Sequence, residues 1–318
     1  MKIKGSTNIV GLIGHPVEHS FSPPMHNAAF DALGMDYAYV AFDVNPAELQ
    51  KAIEGARSLN IKGFNVTIPH KIDVMKYLDE IDDVARLIGA VNTIDFKNLK
   101  GYNTDGIGAV RAIEEVISIK NKNVVIAGAG GASRAISFYI AKYGADSLTI
   151  LNRNVDKAQS LAGDVSNSGL IDDVKSDSIN EINAYLADAD ILVDTTPLGM
   201  HPHINDQPIA TAENMHDELV VFDAVYNPNE TVLLKQAIEA GARPVYVGKR
   251  LGILAAVVHG QIGAIHFGGS HQTHRAGQVH RGIDASDPNL QSFDIGSHVR
   301  HLRMDSSAVC SISTSLSS

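Results

Sequence analysis

The sequence predicts an α/β fold in two units, and three observations carry that prediction. Short apolar runs alternate with amphipathic segments through the first third of the chain, a strand, glycine turn and helix follow one another from Val124, and 318 residues suffice for two separate cores. Composition narrows the class further. No apolar run approaches the roughly 18 residues a membrane helix needs, and residues 1–8 lack the apolar centre of a signal peptide, so a cytoplasmic location is expected and no membrane partner. The single cysteine, Cys310, excludes an internal disulfide framework and a thiolate-rich zinc site. A formal net charge of -10 argues against a nucleic-acid partner, whose phosphates would be repelled. Any anionic ligand must therefore meet local positive charge.

The first strand is expected over 9–13, where an apolar run ends at Gly14. After it, Ser22 can cap a helix running to Leu33, with Pro23 and Pro24 in the first turn, where a missing N–H costs nothing. Ser20 is surplus to such a cap. Two hydroxyls beside the free N–H groups of a helix N-terminus make a seat for a carboxylate. A second strand over 37–42 and a helix opened by Asn45-Pro46 and running to Ser58 follow. The next stretch, Phe64-Asn65-Val66-Thr67-Ile68-Pro69-His70-Lys71, has strand character in Phe64, Val66 and Ile68 until Pro69 removes a ladder donor. The strand should end near Lys71, and the Asn65 amide, Thr67 hydroxyl and Lys71 ammonium should converge on a small polar molecule beyond the sheet edge. The order β-α-β-α-β makes a mainly parallel sheet the expected arrangement.

Beyond Lys71 a short helical stretch leads to Gly89-Ala90-Val91-Asn92-Thr93, a strand carrying an amide, and then to Gly101-Tyr102-Asn103-Thr104-Asp105-Gly106 ahead of a helix over 107–117. Taken alone Asp105 is a helix cap. Taken with Lys71 it is a candidate acid-base partner.

Asn121 and Lys122 mark a change of signal. An apolar strand over 124–127, the turn Gly128-Ala129-Gly130-Gly131-Ala132-Ser133 and a helix over 134–143 closed by Gly144 make a dinucleotide-binding unit, in which small residues admit a pyrophosphate to a helix N-terminus. Ser133 stands where the usual third glycine would be. The following strand, 147–151, ends in Asn152-Arg153-Asn154 with Lys157 beyond. An arginine there accommodates the 2′-phosphate of NADP, whereas NAD enzymes place a carboxylate, and Asp156 keeps NAD open. Residues 162–189 are polar, with one helical pattern over 181–186 and no chemistry read in them. A strand over 191–194 leads to a long loop over 195–208 able to cover a cofactor, in which His201 and His203 read as solvated side chains; no metal site is predicted. A strand over 219–223, a helix over 231–240 and a strand over 244–247 complete the unit.

Taken together, Ser-x-Ser-Pro-x-x-His-Asn at 20–27, Asn-Val-Thr-Ile-Pro-x-Lys at 65–71, Gly-Ala-Val-Asn-Thr at 89–93 and Asn-Thr-Asp-Gly at 103–106 resemble shikimate dehydrogenase, and the likeness continues through Gly128 to Arg134, Asn152-Arg153 and Asp223 to Pro228. The resemblance covers roughly residues 8–248 and implies NADPH-dependent reduction of 3-dehydroshikimate to shikimate in aromatic amino-acid biosynthesis. It implies an N-terminal α/β substrate-binding and catalytic domain with a mainly parallel sheet over 1–106, a Rossmann-like NADP-binding domain over 107–248, and an atypical C-terminal segment over 249–318. By the same likeness Ser20 and Ser22 hold the substrate carboxylate, Thr67, Asn92 and Asp105 the ring hydroxyls, and Lys71 and Asp105 form the catalytic pair. Gly128, Ala129, Gly130, Gly131 and Ala132 cradle the pyrophosphate, and Asn152, Arg153 and Lys157 take the adenosine phosphate. Ala224, Tyr226 and Gly248 line the nicotinamide or substrate, and Asp83 matches an acidic position near the cofactor.

The end of the chain departs from the family, which finishes in a helix carrying a substrate-touching glutamine and a last helix packed on the first domain. After Lys249 there is no lysine, after Glu239 no glutamate, and half of the 14 histidines fall from His259 onward. Such a composition suits no amphipathic helix and is the kind a shifted reading frame produces. Gln261 is the candidate for the missing glutamine. His271, His274 and His280 are read as no metal site. Two alternatives stand beside the main expectation: an NAD-using quinate/shikimate dehydrogenase, and a catalytically silent NADP-binding protein. A homodimer is the assembly considered. The absence of any Tyr-x-x-x-Lys disfavours a short-chain dehydrogenase.

Overall fold

Apolar strands buried on both faces form the centre of each of two six-stranded sheets, as parallel strands covered by helices must. The computed structural model describes residues 2–225 and 227–246. In the first sheet β1 (Asn8–Gly14) lies between β2 (Tyr37–Asp43) and β3 (Gly63–Val66), parallel to both. The connecting helices are α1 (Ser22–Leu33), closed by Gly34 at φ 67°, and α2 (Leu49–Ser58), whose Leu49, Ile53 and Ala56 bury one stripe. Then come β4 (Glu80–Ile81), α3 (Asp83–Ile88), β5 (Thr93–Asp95) and β6 (Lys100–Tyr102). The order is β2-β1-β3-β5-β6-β4, with β5 antiparallel to both β3 and β6 and the other pairings parallel. That antiparallel junction sets the carboxyl end of β3 beside the amino end of β5, so Val66 N–H donates to Asn92 O at 2.8 Å. Chain leaving one strand thus meets chain entering the other.

Helix α4 (Asp105–Glu114) leads into β7 (Asn123–Ala127), α5 (Gly131–Lys142), β8 (Ser147–Asn152), α6 (Val155–Asn167), β9 (Asp173–Ser178) and α7 (Ile182–Leu186). The chain ends, within the described residues, with β10 (Ile191–Asp194), β11 (Val220–Asp223), α8 (Val232–Glu239) and β12 (Arg243–Val245). All strands of this sheet are parallel, in the order β12-β11-β10-β7-β8-β9. Strand order reverses between β7 and β10, and a ligand crevice belongs outside their carboxyl ends.

Several expectations need correction. Strand β3 stops at Val66, five residues before Lys71, and the chain turns through Thr67 and a cis Ile68–Pro69 bond. Phe21, not Ser22, occupies the N-cap of α1, and Ser22 is the first helical residue. Helix α5 starts at Gly131 rather than Arg134, so the glycine turn is shorter than its sequence suggests. Within the segment dismissed as polar lie the end of α6 and all of β9. The α6 stripe Ala158, Leu161, Ala162 and Val165 was legible as a helical period, while β9 is a half-buried edge strand with polar alternation. The expectations for 249–318 and the last residue of the strand over 244–247 lie outside the described residues.

Candidate active site

Lys71 sits on the turn after β3, where its carbonyl accepts Val91 N–H at 2.7 Å, and where buried His70 Nε2 meets Val44 O at 2.7 Å. From that mount its ammonium donates to Asp105 Oδ2 at 2.6 Å, while Asn92 Nδ2 donates to Asp105 Oδ1 at 2.6 Å. Both carboxylate oxygens are therefore engaged by tertiary partners. Thr104 holds the N-cap position of α4, and Asp105 is its first residue. An ion pair with Lys71, rather than a capping bond, is what the geometry displays. The amide orientation of Asn92 follows from its other end: Oδ1 accepts from Thr104 N–H at 2.8 Å, Thr104 Oγ1 at 3.1 Å and Thr93 Oγ1 at 3.0 Å, which leaves only the NH₂ for Asp105. Side-chain exposures of 32% for Lys71 and 45% for Asp105 open the pair to a ligand. An ion pair so exposed adds at most about 1 kcal/mol to stability, so its value lies in placement.

Half-buried Ser20 and Ser22 follow the carboxyl end of β1, and half-buried Thr67 follows that of its parallel neighbour β3. Ser20 Oγ accepts Ser22 N–H at 3.2 Å, so Ser20 supplies the bond expected of a cap. Thr67 follows β3 directly, and its methyl lies so close to Gly14 that a side chain at Gly14 would overlap it. Tyr39, which interacts with the Ser22 hydroxyl, donates its own to Asn65 Oδ1 at 2.7 Å, and Asn65 Nδ2 reaches Thr93 Oγ1 at 3.3 Å. Burial raises the Tyr39 phenol above its ordinary range, so it remains a neutral donor. Asn65 thus meets a hydroxyl network rather than open space. Sequence reasoning missed Tyr39, which alternates like any core aromatic, and missed the support given by Asn103, whose Oδ1 accepts Asp105 N–H at 3.2 Å. An asparagine two residues ahead of a helix start is an Asx-turn signal that could have revealed it.

In the second sheet, Gly128 leaves β7 at φ 109°, a conformation L side chains rarely adopt, and a Cβ there would overlap the Thr195 hydroxyl at the end of β10. Thr195 Oγ1 is itself tied to Ala127 O at 2.7 Å. Buried Ser133 donates to Gly128 O at 2.7 Å, so a hydrogen bond fastens turn to helix where a third glycine would rely on close packing. Gly130 is the N-cap of α5, Gly131 and Ala132 open it, and its first N–H groups point outward. One pocket is lined by Ala129, Gly130, Asn152, Arg153, Asn154 and Lys157. Asn154, unforeseen, caps α6 by accepting Lys157 N–H at 3.1 Å. Two cations, no carboxylate and a helix start fit a phosphate-bearing nucleotide; Asp156 is not among the lining residues. Ala224 follows β11 and donates its N–H to Asp194 O at 2.8 Å. Asp83 is exposed in the first turn of α3. Tyr226, Gly248 and Gln261 lie outside the described residues.

Beneath the crevice two carboxyls face each other in register, Asp194 on β10 and Asp223 on β11, each 1% exposed. Burial, reinforced by Asp223, pushes Asp194 up to about 7, and burial pushes Asp223 up to about 6 against the pull of the Thr231 hydroxyl and Val225 N–H.

A doubly wound dinucleotide-binding sheet joined through its first helix to a lysine–carboxylate pair defines a two-domain nicotinamide-linked dehydrogenase. Comparison with known proteins agrees. Residues 12–94 match the shikimate dehydrogenase substrate binding domain, and residues 110–231 match shikimate / quinate 5-dehydrogenase. The chain is 70% identical over 249 residues to shikimate dehydrogenase (NADP(+)) of Methanobrevibacter smithii, covering 78% of this chain and 89% of that one. Among solved structures, a shikimate dehydrogenase in complex with NADP+ superposes with a TM-score of 0.74 at 49% identity, covering 82% of this chain and 91% of that one. Quinate dehydrogenase from Corynebacterium glutamicum in complex with NAD gives 0.72 at 32% identity, covering 80% and 93%. The chain belongs to the shikimate dehydrogenase family.

Proposed function

We propose that this protein catalyses the reversible NADPH-dependent reduction of 3-dehydroshikimate to shikimate, a step of chorismate and aromatic amino-acid biosynthesis. The 2.6 Å bond between Lys71 Nζ and Asp105 Oδ2, partly exposed and braced by Asn92, is the observation that carries it. NADPH, when bound, supplies the hydride. As the ketone becomes an alkoxide, Lys71 stabilises the oxygen and delivers a proton to it; in the oxidation direction the amine takes that proton back. Asp105 orients the ammonium and accepts a hydrogen bond from a ring hydroxyl. Asn92 and Thr67 meet further hydroxyls, and Ser20 and Ser22 receive the ring carboxylate beside the start of α1. Gly128 to Ala132 cradle the pyrophosphate, and Asn152, Arg153 and Lys157 hold the adenosine phosphate, with Ala224 at the nicotinamide side. The working division is a catalytic domain over 1–106 and a cofactor domain over 107–248, parted inside α4 and followed by 249–318. A cytoplasmic location and a homodimer, the latter read out by sedimentation, go with this assignment. Among the described residues no helix is long and apolar enough to cross a membrane.

Purified protein should oxidise shikimate with NADP+, and reduce 3-dehydroshikimate with NADPH, much faster than with NAD+ or NADH in steady-state assays. Equal rates with NAD+, or a preference for quinate, would favour a quinate/shikimate dehydrogenase using NAD. Tight NADPH binding by calorimetry without turnover would mean a silent binding protein. Arg153→Ala tests the cofactor assignment: NADPH affinity should fall by about tenfold or more, the loss of one charge-assisted phosphate contact, with NADH affinity changed little. Equal losses for both cofactors would remove Arg153 from 2′-phosphate recognition.

A further inference from the structure

Helix α5 carries the dinucleotide turn at its start, yet two of its side chains reach out of the second unit. Arg134 donates from Nε to Ile88 O at 2.5 Å and from Nη2 to Leu87 O at 3.0 Å. Those are the last two carbonyls of α3, which the end of that helix leaves without partners, and a guanidinium fork at a helix C-terminus satisfies both hydrogen bonding and the dipole. The fork cannot drift, because Nη1 is held by Asp164 on α6 at 2.5 Å and the guanidinium lies over the buried Phe138 ring at 5.3 Å. Immediately beyond Ile88 comes the segment whose Ala90 O accepts Asn103 Nδ2 at 3.1 Å and whose Asn92 holds Asp105.

Tyr139, five residues further along α5, donates its buried hydroxyl to Asn103 O at 2.8 Å. Asn103 is the residue whose side chain accepts Asp105 N–H. The approach is close enough that any side chain at Gly106 would overlap the Ala135 carbonyl and the Tyr139 ring. Both backbone segments that fix the acid-base pair, 87–92 and 103–106, are therefore pinned to the helix whose opening turn faces the pyrophosphate.

We propose that Arg134 and Tyr139 are positioning residues that set the catalytic pair in register with the bound dinucleotide, using α5 as a rigid spacer. This rests on the shikimate dehydrogenase assignment above and deepens it. Neither side chain needs to touch substrate. Hydride and proton transfer require reacting atoms about 3–3.5 Å apart, and a misplacement near 1 Å costs on the order of 100-fold in rate. Ordinary interdomain packing would demand apolar contact alone; α5 shares a buried cluster with Val84, Ile88 and Val110 and adds directional bonds to the backbone on either side of one carboxylate.

Tyr139→Phe, which deletes one hydroxyl, and the pair Arg134→Lys and Arg134→Ala provide the test. Each should lower kcat by about 10- to 100-fold, with lysine, able to bond one carbonyl, recovering part of the alanine loss. KM for shikimate and the calorimetric Kd for NADP+ should change less than about twofold, since residues that touch neither ligand leave ground-state binding almost unchanged and act on the alignment of the reacting atoms. Hydrogen–deuterium exchange, which needs no substrate, should quicken at amides 90–92 and 103–106 and stay unchanged in β7 and β8. Unchanged kcat in Tyr139→Phe, or exchange that quickens equally through the second sheet, overturns the proposal. Failure of the wild-type protein to turn over shikimate would instead strike the assigned reaction, leaving the exchange pattern to judge the spacer by itself.

Discussion

Lys71→Ala is expected to lower turnover of shikimate by roughly 100-fold or more, the scale of one positioned acid-base group. The lysine is the only cation bonded to Asp105 in the described residues, so its removal leaves the developing alkoxide facing a carboxylate with no proton donor beside it. Affinity for NADP+ should change little, because Lys71 is no part of the pocket formed by Ala129, Gly130, Asn152, Arg153, Asn154 and Lys157. The fold should tolerate the change as well: the side chain is one-third exposed and its ion pair adds at most about 1 kcal/mol. Steady-state rates combined with calorimetric NADP+ binding check all three points. A variant keeping most of its rate would take the lysine out of the mechanism.

Asp194→Asn is expected to stabilise the protein above pH 7, by on the order of a few kcal/mol given about 1.4 kcal/mol for each pH unit of displacement. The direction follows from linkage. Burial and Asp223 raise the folded-state carboxyl to about 7 from an ordinary 3.8, so between those limits the folded form keeps a proton that the unfolded form has lost. Stability from this group is full below the lower limit, falls as pH rises through the window, and is gone above the upper one. Asparagine retains the oxygen that accepts Thr196 N–H at 2.7 Å and carries no charge to bury. Denaturant midpoints at pH 5 and pH 8 should differ less in the variant than in the wild type. Identical pH dependence in both would show that this carboxyl does not titrate across that range.

The motifs of the candidate site were legible because each combines a rigid mount with a residue type that has little business there. Lys71 after Pro69, Asp105 after Asn103 and Gly128 after an apolar strand all break a local pattern, and the structure bonds the first two to each other and sets the third at a turn that leaves no room for a side chain. What the sequence concealed was the way they are joined. The reversal of strand direction at β5 brings Asn92 beside Val66, and nothing local in residues 67–92 announces that pairing. Tyr39 and Tyr139 went unremarked within their strand and helix because period and hydrophobicity report the ring and not the destination of its hydroxyl. Helix α6 was passed over because half of its stripe is alanine, and β9 because an edge strand needs only half an apolar face. The domain-level pattern survives such omissions, since a parallel sheet is specified by its central strands.

The amide of Asn92 offers the end that carries protons to Asp105 and keeps the other end for the hydroxyls of Thr93 and Thr104. Loss of ammonia from that one side chain would turn a donor into a second anion at 2.6 Å from the first, with Lys71 left to neutralise both. Chemical ageing at a single nitrogen would thus silence the enzyme while leaving its shape almost untouched.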